Sequence, residues 1–344
     1  MRLDFLDLPP AERQIYFEQA AGRLGLHPAI LEKDFWVCWL LGVLFSHPTL
    51  RKVVVFKGGT SLSKVHAAIR RFSEDIDLAI APAFLGAAED ELEPSASRSK
   101  TDRWITHLQS LCGQKVQSDI QAVLEDVARQ TLGPRPKNRP WLEYILDHTT
   151  NSPVLLFHYP TPALVGFPYL VRSVKLEFGS LTDQQPVGQH PIQPWLADVF
   201  PHAFGDWQCN VVALDIQRTF WEKATILHAE YHRRASAGVP ERYSRHYADV
   251  AALTRHTLAK QAISQVGLLE QVVAWKSRFF ARGSARYDLA QPGTFRFAPP
   301  PGRMKELQSD YAAMRPMYFD EPLSFAEVVA ILEQLEREFN GEGS

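Results

Sequence analysis

The sequence predicts an α+β protein, with a mixed α/β domain over residues 1–205 and a mainly helical domain over 206–344. Three observations carry this. Short β-branched or alternating runs, bounded by Gly and Pro, all fall before residue 215 and read as strands of a mixed sheet. Longer runs with helical spacing separate them. From Ile216 onward the spacing is helical almost throughout.

Taken in order, Pro9-Pro10 opens a helix from Ala11 to Leu24, and Gly25 breaks it. A second helix runs from Pro28 to about Ser46; its dense Leu and Trp content predicts burial on more than one side. Lys52–Phe56 reads as a buried strand running into Gly58-Gly59. Thr60–Arg71 reads as a helix with Thr60 or Ser61 as N-cap. Ser73–Ile80 is a strand ended by Pro82, with Ile76, Leu78 and Ile80 on one face and Asp75, Asp77 and Ala79 on the other. A polar loop over Glu89–Lys100 leads to one long helix or two shorter ones over Arg103–Leu132, stopped by Gly133-Pro134. Pro153–His158 and Tyr169–Phe178 are further strands, and in the second Ser173, Lys175 and Glu177 share a face. Thr182–Pro194 reads as a loop and Cys209–Leu214 as the last strand. Helices are expected over Ile216–Arg234, Arg242–Thr257, Lys260–Arg282 and Phe325–Phe339, with an extended connector at Pro292–Pro301.

The bulk composition narrows the class. The chain has 344 residues, 45% hydrophobic and 22% charged, which is globular rather than disordered. A formal net charge of -2 leaves any nucleic-acid contact to local basic patches. Such patches occur at Arg70-Arg71, Arg135–Arg139, Arg233-Arg234, Arg242–Arg255 and Arg278–Arg286, either as an RNA-binding groove or as solvated helix surface. Cys38, Cys112 and Cys209 lie far apart without CxxC spacing, which argues against a zinc site or a disulfide framework. The N-terminus has acids where a signal peptide needs basic residues, and the most apolar run, Phe35–Phe45, is too short to span a bilayer. A cytoplasmic protein with no membrane partner is expected.

The stretch KGGTSLSKVHAAIRRFSEDIDLAI, Lys57–Ile80, holds the chemistry. On a strand, Asp75 and Asp77 project together, and two carboxylates that close repel unless a cation lies between them. Mg²⁺ suits such a pair, since it takes one or two carboxylates plus phosphate oxygens. By itself a DxD is more often a solvated strand face. The Gly58-Gly59 turn shifts that balance, because it follows a strand and opens a helix whose free N–H groups attract phosphate. If the two strands are neighbours, the turn and the acids meet. GGTSLSK lacks Walker A spacing, which makes Lys64 a poor phosphate-binding lysine, and there is no GxGxxG. His228 and His232 fall at i, i+4 but lack the glutamate of HExxH, so they read as ordinary polar positions.

KGGTSL followed by RFSEDIDL resembles the AbiEii/AbiGii toxin family, which includes the MenT tRNA-nucleotidylating toxins, within the DNA polymerase β-like nucleotidyltransferases. LEKDFWV (Leu31–Val37), FWEKATILHA (Phe220–Ala229) and RHYADVAAL (Arg245–Leu253) extend the resemblance over roughly residues 30–255. The resemblance implies a polymerase β-like core with a helical second lobe, and transfer of a nucleoside monophosphate from an NTP with loss of pyrophosphate. It implies an RNA acceptor such as the tRNA 3′ end, and a separate antitoxin as partner. Residue by residue, Gly58, Gly59 and Thr60 would hold phosphates, with Lys57, Ser61 and Lys175 beside them; Ser73 would sit next to the metal site; Asp75 and Asp77 would bind Mg²⁺ or Mn²⁺; Lys223 would contact the triphosphate; and Asp249 would complete the active site. A third carboxylate is expected from either Glu177 or Asp249, and the Lys175/Glu177 pair also reads as a surface ion pair. One departure stands out: where the family often has Arg-Asp, this chain has Arg245-His246. Modification of a protein hydroxyl by the same chemistry, and a non-catalytic module that kept the fold, are the alternatives. Intact acids and glycines count against the second.

Overall fold

The computed structural model describes residues 5–87, 96–148, 150–161, 171–234 and 236–341. Two compact units divide the chain: Met1–Val65 with Phe72–Leu214, and His66–Arg71 with Asp215–Ser344.

The first unit contains helices α1 (Pro10–Leu24), α2 (Pro28–Ser46), α3 (Gly58–Lys64), α4 (Arg98–Lys115), α5 (Gln121–Leu132), α6 (Leu196–Val199) and α7 (Pro201–Phe204). Its strands are β1 (Val54–Lys57), β2 (Ile76–Ile80), β3 (Leu142–Asp147), β4 (Ser152–Phe157), β5 (Val174–Gly179), β6 (Val187–Ile192) and β7 (Cys209–Leu214). They form one mixed sheet in the order β3-β4-β5-β2-β1-β7-β6. β2 runs parallel to β5 and antiparallel to β1, and β1 runs parallel to β7. The strand alternation predicted for β2 is realised: Ile76, Leu78 and Ile80 join Phe56, Leu176 and Phe178 in the main core.

α2 is buried nearly all round, as its composition predicts, and this includes three successive charges, Glu32, Lys33 and Asp34. Each fastens the helix to a different segment. Glu32 accepts from Thr161 Oγ1 at 2.9 Å. Lys33 Nζ lies 2.6 Å from Glu74 and donates to the Val171 carbonyl at 3.0 Å. Asp34 pairs with Lys64 at 2.7 Å and accepts the Trp195 N–H at 2.8 Å. Buried charges persist only when paired in this way. Trp36 stacks on Tyr159 and Trp39 on Phe157, which closes α2 over the sheet.

Several elements depart from expectation, each for a local reason. The helix expected over Thr60–Arg71 ends at Lys64, and neither Thr60 nor Ser61 caps it; the N-cap position is Lys57. Lys64 is held by Asp34 and lies 4.4 Å from the Trp195 ring centroid, and Ala67 then takes φ 49, which turns the chain out of the helix. The expected Thr182–Pro194 loop contains β6, a sheet-edge strand whose Gly188 and Pro191 hide it from propensity. β3, at the opposite edge, was not expected either; Pro134, Pro136 and Pro140 precede it, and Ile145 and Leu146 are exposed. α4 and α5 join through a π-helical turn, Val116–Ile120, into one long element, the first of the two alternatives expected there. α4 begins inside the expected Glu89–Lys100 loop, where Ser97 caps it. The rest of that loop, to residue 95, and Tyr169–Leu170 of the expected strand lie outside the described residues.

The second unit contains α8 (Ile216–Tyr231), α9 (Arg245–Leu253), α10 (Thr257–Lys260), α11 (Val266–Phe279), α12 (Met304–Ala313) and α13 (Phe325–Asn340). Asp215 caps α8, and Ser324 with Glu327 forms a capping box on α13. Trp221, Phe295, Phe297 and Phe339 pack edge to tilted in its core. The helix expected over Lys260–Arg282 is interrupted because Trp221 Nε1 takes the Ala262 carbonyl at 3.1 Å. His66–Arg71 lies in this unit as an extended strap: Arg71 bridges Tyr318, Phe319 N–H donates to the Arg70 carbonyl at 3.2 Å, and the Arg70 side chain pairs with Asp320.

Candidate active site

The sheet register places the acids. Lys57 on β1 stands opposite Asp77 on β2, and Asp77 stands beside Glu177 on β5. Residues paired in register share a face, so Lys57, Asp77 and Glu177 form a row across three strands. Asp75 and Lys175, each two residues earlier, continue that row along the same face.

The turn and the acid pair meet. Gly58 adopts φ 80, and a Cβ built there would lie 1.9 Å from Asp77 Oδ2. Only glycine permits both the backbone and this approach. The carboxylates of Asp75 and Asp77 have no hydrogen-bond or ion-pair partner among the described residues. Burial, then the charges of Asp77 and Glu74, pushes the Asp75 pKa up to about 6. Thr60 Oγ1 lies 3.0 Å from Ser73 Oγ and hydrogen-bonds the Asp75 carbonyl, which ties the first turn of α3 to the entry of β2. Ser61 faces inward, its hydroxyl buried without a hydrogen-bond partner among the described residues. Lys57 likewise has no ion-pair partner among them.

Glu177 is already neutralised, since it accepts from Lys175 Nζ at 2.9 Å, and that ammonium also lies 3.6 Å from Asp147. Among the described residues no group of three or more His, Cys, Asp or Glu side chains is placed to hold a metal ion. Two adjacent, unpartnered carboxylates, one with its pKa raised to about 6 by burial and then by its neighbour's charge, nonetheless suit a divalent cation whose remaining ligands are phosphate oxygens and water.

In the second unit, Asp249 on α9 is fully enclosed by cations. Arg71 Nε and Nη2 donate to its two oxygens at 2.8 and 2.7 Å, and Lys223 Nζ on α8 lies 2.8 Å from Oδ2. Burial alone would raise the Asp249 pKa, yet Arg71 and Lys223 hold it well below the carboxylate range. Burial depresses the Lys223 pKa; Asp249 opposes this, while Arg71 and Arg245 add to it. His246, where the family often has an acid, is kept neutral by burial and by Lys223 and Arg245, and its Nδ1 is buried without a hydrogen-bond partner among the described residues.

His228 is structural, as its sequence context suggests. Its Nε2 lies 2.9 Å from the Arg286 carbonyl and its Nδ1 accepts the Arg296 N–H at 3.1 Å. Several of the basic patches are internally paired: Arg70 with Asp320, Arg71 with Asp249, Arg233 with Glu230, Arg286 with Asp288. Lys64, set aside as a phosphate ligand on spacing alone, is buried against Asp34. Sequence reasoning gives Arg71 only as part of a basic patch, either an RNA-binding groove or solvated helix surface, and assigns no site role to Lys33 or Glu74; the only local signal for Arg71 is its place just before SEDID.

A family model described as "Nucleotidyl transferase AbiEii toxin, Type IV TA system" matches residues 39–332. The chain belongs to this family. It is a nucleotidyltransferase of the toxin type, and membership implies an NTP substrate and an antitoxin partner. Among solved structures, it is similar to MenT4, a nucleotidyltransferase toxin from Mycobacterium tuberculosis H37Rv, with 15% identity, 97% of each chain covered and a TM-score of 0.43. No curated protein matches the sequence. No helix among the described residues is long and apolar enough to cross a membrane.

Proposed function

We propose that this nucleotidyltransferase transfers a nucleoside monophosphate to an RNA acceptor, the 3′ end of a tRNA, with Asp75 and Asp77 holding Mg²⁺ or Mn²⁺. The observation that carries the metal site is the pair of unpartnered carboxylates beside Gly58, one of them with a raised pKa. When bound, the cation lowers the pKa of the attacking hydroxyl and neutralises the leaving pyrophosphate. In the transfer, the acceptor hydroxyl releases its proton to solvent and its oxygen bonds the α-phosphorus, while the bond from that phosphorus to the oxygen bridging to the β-phosphate breaks and pyrophosphate leaves with that electron pair.

The chain's own residues hold the reactants. Gly58, Gly59 and Thr60 present backbone N–H groups of the first turn of α3 to phosphate oxygens. Lys57, unpaired among the described residues and in register with Asp77, adds a positive charge on the same face. Ser73 and Thr60 fix the backbone at Asp75. Lys223 contacts the triphosphate, supported by two buried cations facing a single carboxylate at Asp249. The tRNA acceptor rests on the resemblance to the MenT toxins.

The test is incubation with each α-³²P-labelled NTP, Mg²⁺, and total tRNA or cell extract. Label in RNA that Asp75→Ala abolishes supports the proposal. Label in protein instead assigns the acceptor to a protein hydroxyl. Equal transfer by Asp75→Ala refutes the site.

A further inference from the structure

Asp249 is a buried carboxylate whose two oxygens meet two different cations. A metal ligand needs a lone pair directed at open space, and here Arg71 takes both oxygens in a fork while Lys223 shares Oδ2. All three side chains are nearly excluded from water. A single Lys–Asp pair would be neutral, with no attraction left for an anion. The bidentate Arg71 changes that balance, because the carboxylate is already matched by a guanidinium and the Lys223 ammonium remains in surplus. In a water-poor setting such a surplus charge acts strongly on an incoming phosphate. Arg71 reaches this place because the strap His66–Arg71 is bedded on Tyr318 and Phe319 of the second unit.

We propose that Asp249 is a charge anchor rather than a metal ligand, and that Arg71 is a positioning residue whose positive charge frees Lys223 for the NTP triphosphate. This rests on the nucleotidyltransfer reading above and specifies how its basic residues act. It makes NTP affinity follow the net charge of the trio. Arg71→Met turns a surplus of one positive charge into neutrality, Asp249→Asn raises the surplus to two, and the double substitution returns it to one. The double variant leaves Lys223 as a buried ammonium without a carboxylate, whereas Arg71→Met leaves a neutral Lys223–Asp249 pair and is the variant best able to fold.

The test is equilibrium dialysis of α-³²P-labelled ATP, CTP, GTP and UTP with Mg²⁺ against the wild type, Arg71→Met, Arg71→Lys, Asp249→Asn and the double variant. Thermal unfolding serves as the folding control. Arg71→Met is expected to weaken binding of the preferred NTP about tenfold, ~1.4 kcal/mol. Arg71→Lys, which keeps the charge but not the fork, recovers most of that. The double variant is expected to bind within about threefold of wild type. A double variant that folds but binds no better than Arg71→Met overturns the proposal, because a purely structural contact does not respond to charge balance. In parallel, Mn²⁺ titration followed by electron paramagnetic resonance should show Asp249→Asn close to wild type and Asp75→Asn strongly weakened. A tenfold loss of Mn²⁺ affinity in Asp249→Asn restores Asp249 as a metal ligand and overturns the anchor. Absence of binding of all four NTPs by the wild type removes the underlying reading, and this inference with it.

Discussion

Gly58→Ala isolates the contact between the phosphate turn and the acid pair. The new Cβ would sit 1.9 Å from Asp77 Oδ2, so the carboxylate must retreat by about 1 Å to reach even the 3.0 Å that real Cβ atoms respect. Displacements of that size in a reacting constellation cost on the order of 100-fold in rate, which corresponds to ~2.7 kcal/mol of barrier. The backbone contributes a separate cost: holding alanine at φ 80 is worth about 1–2 kcal/mol of stability. Labelled-nucleotide transfer and urea unfolding measured on the same preparation separate the two effects. The expected result is transfer down ~100-fold in a protein destabilised by no more than about 2 kcal/mol. Transfer within threefold of wild type would show that Asp77 need not lie against the turn, and the geometric argument would fail.

Three further outcomes are expected. Asp75→Asn should abolish transfer and yet be more stable than wild type in EDTA at pH 7.5. The fold raises the Asp75 pKa to about 6, so this group's stability contribution is greatest below its unfolded value and is lost as pH rises through 6. Equal or lower stability of the variant across that range counts against the crowding of charges at Asp75. Lys33→Met should destabilise the protein in chemical denaturation by taking a buried cation away from the Glu74 carboxylate, and Lys33→Met with Glu74→Gln should recover much of the loss; no recovery would refute the pairing. His228, whose pKa burial lowers to about 4, should lose stability as pH falls from 6.5 towards 4. His228→Gln should flatten that limb of the pH–stability curve, and an unchanged limb would assign it elsewhere.

Where side-chain period and local chemistry agree, the sequence was readable. The alternation of Ile76, Asp77 and Leu78 places core and acids on opposite faces, and the condition that the two strands be neighbours, which the sequence leaves open, is met by the pairing of β1 with β2. Where distant partners decide, it was not. α3 stops at Lys64 because Asp34, thirty residues earlier, takes that ammonium; nothing in GGTSLSKVHAAIRR announces it. β6 owes its existence to β7, since a Gly and a Pro within six residues argue against a strand. At the site, spacing alone puts Asp75 and Asp77 on one face but by itself reads more often as a solvated strand face; the Gly58-Gly59 turn shifts that balance. That Glu177 is matched by Lys175 follows from their shared face, whereas the Arg71–Asp249 pair joins residues 178 positions apart and leaves no local trace.

That separation has a consequence for synthesis. The strap His66–Arg71 is translated long before the α9 and Tyr318 segments that receive it. At ~5–20 residues per second, Arg71 waits roughly 10–35 s for Asp249 to be made. Until then the strap has no carboxylate to receive its guanidinium, and a fragment ending at Leu214 lacks the partners that hold the strap.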